Sequence, residues 1–301
     1  MIKTLCVLFG GVLAFYLGLV LLVYVFQRRM IYYPSRFAES EVLTETADVG
    51  LQPWRNSKGE LIGWVAHHPK PPANSRIIVL HGNANHAHWC DYYVSAFQSS
   101  LQPHRWDVYL LEYPGYASRP GTPSETTLVN AALEALDDLK AGDKLKSIPP
   151  PRTYFLGESI GAAVASQVAA QRPDSVAGMF FIAPFNNLAD LGAAHMPILP
   201  VRWLLKDRYA SDEALQKLAG PREGHTPTGL PPIAFLMGGR DEVIPNRFTQ
   251  KLYDNYHGPK KLWLQPLATH NTFNFDPTAP FWKEVTEFLF KESEGRKQKP
   301  E

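Results

Sequence analysis

The chain has 301 residues, of which 45% are hydrophobic, so it is long and apolar enough to form a globular protein with a sizeable core. Lys plus Arg number 30 and Asp plus Glu number 29, and no basic stretch is interleaved with aromatic residues. These features exclude a nucleic-acid-binding function based on charge. The only two cysteines are Cys6 and Cys90, and Cys6 lies in an apolar segment, so no disulfide is predicted.

The N-terminus carries a long apolar run. Residues 5–26 are 22 uncharged, mainly apolar residues, long enough as a helix to cross about 30 Å of hydrocarbon. We interpret residues 1–29 as a transmembrane anchor. The alternative is a cleaved signal peptide, but its apolar core usually has about 7–15 residues and ends at small residues, whereas this run ends before Gln27, Arg28 and Arg29. The flanking charges favour a cytoplasmic location for the rest of the chain.

A linker is predicted at residues 30–49, where Tyr32 and Tyr33 form either an aromatic collar at the membrane surface or part of an ordinary linker. Beyond it, strands and helices alternate. Strands are predicted at residues 61–66, 76–80, 106–112, 154–156, 176–182, 233–237 and 261–264, and helices after Ser124, at 162–170 and at 281–290. This alternation predicts an α/β domain at residues 50–292, with a mostly parallel central sheet between two layers of helices and a charged tail at 293–301.

The alternation stops between two of these strands. Residues 186–230 contain helical pieces and the apolar stretch 195–201, which predicts a small helical cap over the strand ends. Trp203, Leu204 and Leu205 are predicted either to line a pocket under this cap or to pack the cap onto the sheet.

The most informative motif is the sequence Gly-Glu-Ser-Ile-Gly at residues 157–161. It follows an apolar strand and precedes a helix rich in small residues, which is the context of a nucleophile elbow. A serine hydroxyl is a weak nucleophile at neutral pH, so it must be held at the strand end beside a base and N–H donors. Ser159 is therefore the predicted nucleophile.

An acid and a base follow this serine in the order expected of a Ser-His-Asp triad on an α/β sheet. Asp241 lies on a glycine-led loop after the strand at 233–237, and His270 lies after the strand at 261–264. We expect His270 to take the Ser159 proton and return it to the leaving group, while Asp241 fixes the imidazole tautomer. Glu242 is the alternative acid.

An oxyanion hole needs two N–H groups aimed at the developing negative charge. The backbone N–H of Ile160 supplies the first. The second is expected from the loop after the strand at 76–80, where Asn83 is the first choice and Ala84 the reserve. His81 precedes the nucleophile in the chain, so we expect it to hold loops together by hydrogen bonds rather than to act as the base.

Five segments together resemble the α/β-hydrolase superfamily: residues 81–84 (His-Gly-Asn-Ala), 113–116 (Tyr-Pro-Gly-Tyr), 157–161, 241–245 (Asp-Glu-Val-Ile-Pro) and 270–271 (His-Asn). Within it the chain is similar to the membrane-anchored Bem46-like group, near the serine aminopeptidase and monoacylglycerol lipase-like hydrolases. The resemblance implies a triad of Ser159, Asp241 and His270, an acyl-enzyme intermediate, an N-terminal anchor and no cofactor. Two local sequences depart from the family pattern, namely Gly-Gly-Arg-Asp at 238–241 and Ala-Thr before His270.

The leading hypothesis is a membrane-anchored serine hydrolase that cleaves carboxylic esters, including lipid-derived esters, as small-molecule substrates. A peptidase or amidase of the same fold and a non-catalytic binding protein are the alternatives. A metal hydrolase using His81, His86 and His88 is disfavoured, because these residues lack a carboxylate or cysteine set at ligand spacing, and no metal is predicted. The sequence makes no prediction of oligomeric state.

Overall fold

A computed structural model describes residues 2–99, 104–146, 149–220 and 229–295. Its central sheet has eight strands: β1 (Gln52–Arg55), β2 (Leu61–Ala66), β3 (Ser75–Leu80), β4 (Trp106–Leu111), β5 (Arg152–Glu158), β6 (Gly178–Ile182), β7 (Ile233–Gly238) and β8 (Lys260–Gln265). Their order is β1-β2-β4-β3-β5-β6-β7-β8. The pairs β1–β2 and β2–β4 are antiparallel, and the other pairs are parallel.

The helices of the described residues are α1 (Ile2–Ile31), α2 (Glu39–Asp48), α3 (Asp91–Ser99), α4 (Glu125–Lys144), α5 (Ile160–Gln171), α6 (Leu188–His195), α7 (Val201–Leu204), α8 (Ser211–Ala219), α9 (Asn246–Asn255) and α10 (Pro280–Gly295). The mostly parallel α/β architecture with a preceding apolar helix confirms the predicted fold class. Helices α2, α3 and α9 and strand β1 were not predicted. The tail predicted at 293–301 overlaps the end of α10, and residues 296–301 lie outside the described part.

The sheet separates two apolar cores, one against each helical layer. Along β3, Ile78 and Leu80 face the core shared with α4, α5, α8 and α9, whereas Ile77 and Val79 face the core shared with α3 and α10. Because both faces of the strand are covered, every residue of β3 is buried. This explains why such strands read as continuous apolar runs in the sequence.

Helix α1 is 30 residues long, about 45 Å at 1.5 Å per residue, with a mean hydropathy of 2.6 in its most apolar window. Its length and composition suffice to cross a membrane, and a signal sequence would pass the same test. One face is not fully exposed: Tyr16, Val20 and Val23 are partly covered and Gln27 is buried, while every other residue from 2 to 26 is exposed. The spacing of four, three and four residues makes these side chains one helical stripe.

A polar cluster joins the end of α1 to the loop after α7. The Arg28 guanidinium donates from Nε and Nη2 to the two carboxylate oxygens of Asp207, at 2.8 and 3.0 Å. The Tyr32 hydroxyl donates to Asp207 at 3.2 Å and lies 2.9 Å from the Tyr209 hydroxyl. Tyr32 is only 4% exposed, so it belongs to the folded domain, and neither the collar nor the linker interpretation holds for it. The predicted linker also contains α2, which buries Val42.

The cap predicted at residues 186–230 contains α6, α7 and α8, and residues 221–228 lie outside the described part. Helix α8 packs on α5 at the side of the sheet. The roof over the strand ends is therefore formed by α6, α7 and the chain between them.

Helix α5 crosses β3 so closely that it requires glycine. A Cβ built on Gly161 would lie 2.0 Å from the Leu80 carbonyl oxygen, and one on Gly157 would lie 2.5 Å from the Cα of Ala162. Real Cβ atoms do not approach backbone this closely. The first turn of α5 can therefore sit against β3 only because both positions lack a side chain.

Gly161→Ala is expected to destabilise the protein by about 3 kcal/mol or more, because the new methyl group must displace the backbone of β3. Gly142→Ala in α4 is the matched control, since a Cβ there meets nothing within 4 Å, and we expect it to stabilise by about 0.5 kcal/mol through helix propensity. Denaturant unfolding followed by tryptophan fluorescence measures both. Equal stability of Gly161→Ala and wild type would contradict this account.

Candidate active site

Ser159 lies between the end of β5 and the start of α5 in a strained conformation. Its φ is +54° and its ψ is −114°, a region that residues with side chains rarely adopt. Its backbone N–H donates to the Ile182 carbonyl at 2.8 Å, which ties the turn to the end of β6. The predicted elbow is thus observed as a sharp strand-to-helix turn at Ser159.

Asp241 and His270 lie on the loops after β7 and β8 and contact each other. The backbone N–H groups of Val243 and Ile244 donate to Asp241 Oδ1 at 3.0 and 2.7 Å. The other carboxylate oxygen lies 2.9 Å from His270 Nδ1. The Asp241 side chain is 2% exposed and that of His270 is 14% exposed. The loop amides therefore orient a buried carboxylate towards one ring nitrogen of His270.

This contact selects a tautomer of the imidazole. An ionised carboxylate can only accept hydrogen bonds, so Nδ1 of His270 must carry the hydrogen, and Nε2 is left as an acceptor when the ring is neutral. Ser159 and His270 both line one cavity of about 650 Å³. Glu242, the alternative acid, is exposed and also lines this cavity, while Asp241 holds the histidine.

The loop after β3 lies beside Ser159. Gly82, Asn83 and Ala84 line the same cavity as Ser159 and Ile160, and Ala84 adopts a φ of +60°. The Asn83 side chain donates to the Ile31 carbonyl, and its oxygen accepts hydrogen bonds from the Tyr33 N–H at 3.2 Å and the Tyr116 hydroxyl at 2.8 Å. The residue predicted for the oxyanion hole is thus fixed by the end of α1, a contact that sequence reasoning missed.

Beneath this loop lies a buried cluster of histidines around Glu112. His81 Nε2 lies 3.1 Å from Glu112 Oε1, and Nδ1 of the same ring lies 2.8 Å from the Gly82 carbonyl, the loop-holding contacts expected of it. Burial alone would raise the pKa of Glu112, but its interactions with His81 and His88 outweigh this and lower it to about 2. This carboxylate also accepts the Ala87 N–H at 3.0 Å, so it ties both ends of the connection between β3 and α3 to the end of β4.

His86 is fully buried among aromatic rings, with Phe37 at 5.1 Å and Trp89 at 4.6 Å between ring centroids. Burial lowers the pKa of His86 to about 4. Across the four described ranges, no group of three or more His, Cys, Asp or Glu residues is arranged to hold a metal ion. His81, His86 and His88 thus form no ligand set of that kind.

Glu158, the residue before Ser159, also lines the cavity. The Tyr93 hydroxyl donates to its carboxylate at 3.1 Å. Burial raises the pKa of Glu158 above its ordinary value, and the Tyr93 hydrogen bond acts in the opposite direction. Sequence reasoning gave this residue no part in the site.

The rest of the cavity wall is largely apolar and comes from two parts of the chain. The cap and the strand end before it contribute Phe185, Leu188, Leu191, Val201, Leu204 and Leu205, and α1 contributes Val23, Gln27, Met30 and Ile31. Of the three cap residues predicted either to line a pocket or to pack the cap onto the sheet, Leu204 and Leu205 line the cavity. Trp203 does neither, because its side chain is 89% exposed. The contribution of α1 was not predicted.

Comparison with known proteins places this architecture. The family model described as alpha/beta hydrolase fold matches residues 75–219. The chain is 31% identical over 258 residues to protein Rv2307c of Mycobacterium tuberculosis, covering 84% of each. It is 24% identical over 207 residues to protein bem46 of Schizosaccharomyces pombe, covering 67% of this chain and 63% of bem46. This chain belongs to the α/β-hydrolase superfamily, in the Bem46-like group.

Solved structures agree on the fold of this Bem46-like chain. The Pyrococcus furiosus esterase PF2001 superposes with a TM-score of 0.55 at 19% identity, covering 87% of this chain and 98% of that one. Est1E of Butyrivibrio proteoclasticus, solved with ferulic acid, superposes with a TM-score of 0.55 at 16% identity, covering 76% and 93%. At these identities the likeness establishes the fold alone.

His86 should make the stability of this Bem46-like hydrolase fall with acid. An unfolded histidine takes up a proton near pH 6.5, whereas folded His86 does so only near pH 4. Between these values the unfolded chain binds one more proton, so the free energy of unfolding falls by about 1.4 kcal/mol per unit decrease in pH. We expect His86→Phe to remove this slope between pH 6.5 and 4.5 in denaturant titrations. Identical slopes for variant and wild type would contradict it.

Proposed function

We propose that this protein is a membrane-anchored serine hydrolase that cleaves carboxylic esters through Ser159, His270 and Asp241. One observation carries the proposal: the strained Ser159 and the Asp241-bound His270 line the same cavity. The membership of the α/β-hydrolase superfamily supports a hydrolase. The apolar helix α1 supports anchoring, and the arginines after it favour a cytoplasmic active site.

The proposed reaction has two halves. Nε2 of His270 takes the Ser159 hydroxyl proton as Oγ attacks the ester carbonyl, and Asp241 stabilises the imidazolium that forms. The backbone N–H groups of Ile160 and Asn83 stabilise the oxyanion of the tetrahedral intermediate. The intermediate then collapses, the bond between the acyl carbon and the alcohol oxygen breaks, and His270 returns the proton to the departing alcohol. A water molecule, deprotonated by His270, then attacks the acyl carbonyl. The bond between the acyl carbon and Ser159 Oγ breaks, His270 returns the proton to Oγ, and the acid is released.

The chemistry needs no cofactor, because every proton moves between the substrate, water and the three named side chains. An ester fits the site better than a charged or highly polar substrate, since the cap and α1 offer mainly apolar side chains. The superposed Pyrococcus furiosus protein carries the name esterase, which agrees with this substrate class.

Ser159→Ala and His270→Ala in the full chain are expected to abolish rapid labelling by a fluorophosphonate probe, because only an activated serine reacts quickly. Esterase activity should fall by about 10⁶ for either variant, and by about 10⁴ for Asp241→Asn, which leaves the wrong histidine tautomer. Glu242→Gln is the matched control, expected to retain labelling if Asp241 is the acid. A folded wild-type chain that does not label would instead support a binding protein.

Ester and amide substrates with the same acyl group separate the proposed esterase from a peptidase. An amine is a poorer leaving group than an alcohol, so a site without special provision for protonating it should cleave esters at least about 10³-fold faster. Steady-state kcat/KM for 4-nitrophenyl esters and the matching anilides measures this ratio. Anilides cleaved as fast as their esters would reject the esterase assignment in favour of an amidase.

A further inference from the structure

The second half of helix α1 is attached to the cap that roofs the cavity. The Tyr16 hydroxyl donates to the Ile198 carbonyl at 2.9 Å. Eleven residues further along α1, the Gln27 side chain donates to the Leu204 carbonyl at 3.1 Å and accepts the Lys206 N–H at 2.7 Å. The chain from α6 to α8 therefore runs beside the second half of α1, and Arg28 closes the contact through Asp207.

The same face of α1 reaches the cavity that contains Ser159. Val23, Gln27, Met30 and Ile31 line it, opposite Val201, Leu204 and Leu205 of the cap. Removing α1 would open this wall to the outside. An apolar helix that served only as a tether would need no contact with the site.

The position of the cavity-lining residues along α1 sets how deep the cavity wall lies in a bilayer. Val23 lies five residues before Arg28, about 7.5 Å further into the apolar part of the helix, and Tyr16 lies about 18 Å from Arg28. The cap residues beside this stretch expose large apolar side chains, with Ile198 79% and Trp203 89% exposed. Exposing such large apolar side chains to water is unfavourable, whereas in a membrane-anchored chain they would lie at a depth where lipid covers them.

We infer that α1 is part of the substrate site: the acyl chain of a lipid ester enters from the bilayer and binds between α1 and the cap, with its ester group at Ser159. This inference rests on the proposed function and names its substrate class. We call the space between Val23 of α1 and Leu204 of the cap the seam. An acyl chain that enters along the seam passes from the apolar bilayer into an apolar cavity, so it is not exposed to water. The side chains of this seam then set the acyl length that fits.

Val23→Trp narrows the seam and tests the inference in the full chain in lipid nanodiscs. Each methylene of the acyl chain that can no longer be buried weakens binding about fourfold. If the variant leaves two methylenes unburied, the ratio of kcat/KM for 4-nitrophenyl decanoate to kcat/KM for 4-nitrophenyl acetate should fall by about 15-fold. Val25→Trp is the matched control, since Val25 points to the opposite side of α1 and is 56% exposed, and its ratio should match wild type. Leu204→Trp fills the same seam from the cap and should act as Val23→Trp does, which provides a second variant should the first fail to fold.

If both seam variants keep the wild-type ratio of kcat/KM for decanoate to kcat/KM for acetate, including the case in which both values fall equally, the inference is overturned while the proposed esterase activity stands. A wild type that hydrolyses neither ester would instead reject the proposed function. Entry from the bilayer has its own signature: in proteoliposomes, decanoate hydrolysis should follow the mole fraction of ester in the membrane. A rate that follows the aqueous ester concentration instead would overturn lateral entry.

Discussion

The close crossing of α5 over β3 is the constraint on which the candidate site depends. Leu80 and Gly157 are register partners on adjacent parallel strands, so the loops that follow them emerge side by side at one edge of the sheet. With Gly161 against the Leu80 carbonyl, the chain must turn sharply at Ser159. Ser159, the N–H of Ile160 and the loop of Asn83 therefore converge through backbone packing, before any side-chain contact is considered.

A second constraint is the buried carboxylate of Asp207. It is 2% exposed, and a charge so buried is costly unless it is paired and hydrogen-bonded. Arg28 and Tyr32, at the end of α1, supply its partners. The pairing attaches the apolar helix to the cap in one orientation. Asn83 extends the same attachment to the loop beside Ser159 through its hydrogen bond to the Ile31 carbonyl.

Strands and site residues were predictable because local sequence determines them. Strands buried on both faces appear as apolar runs, and the order of Ser159, Asp241 and His270 follows the order of parallel strands. The contact of α1 with the cavity was not predictable in this way. Val23 and Val25 are equivalent in a run that is apolar on every side, and only the fold determines that Val23 lines the cavity while Val25 is exposed. Gln27 gives no signal of this contact in the sequence, because a polar residue is also expected where an apolar run ends, and only its burial in the structure reveals its partners in the cap. Trp203 misled because aromatic residues are expected inside, while its position faces outward.

The attachment of α1 has a practical consequence for how this protein is prepared. A soluble fragment that starts at Met30 keeps Ser159, Asp241 and His270, yet it leaves Asp207 without Arg28 and the cavity without Val23 and Gln27. Such a fragment therefore lacks part of the cavity wall and the Arg28–Asp207 pairing that attaches α1 to the cap. We expect its selectivity among substrates to differ from that of the full chain, so substrate preference is best compared on preparations of the whole chain.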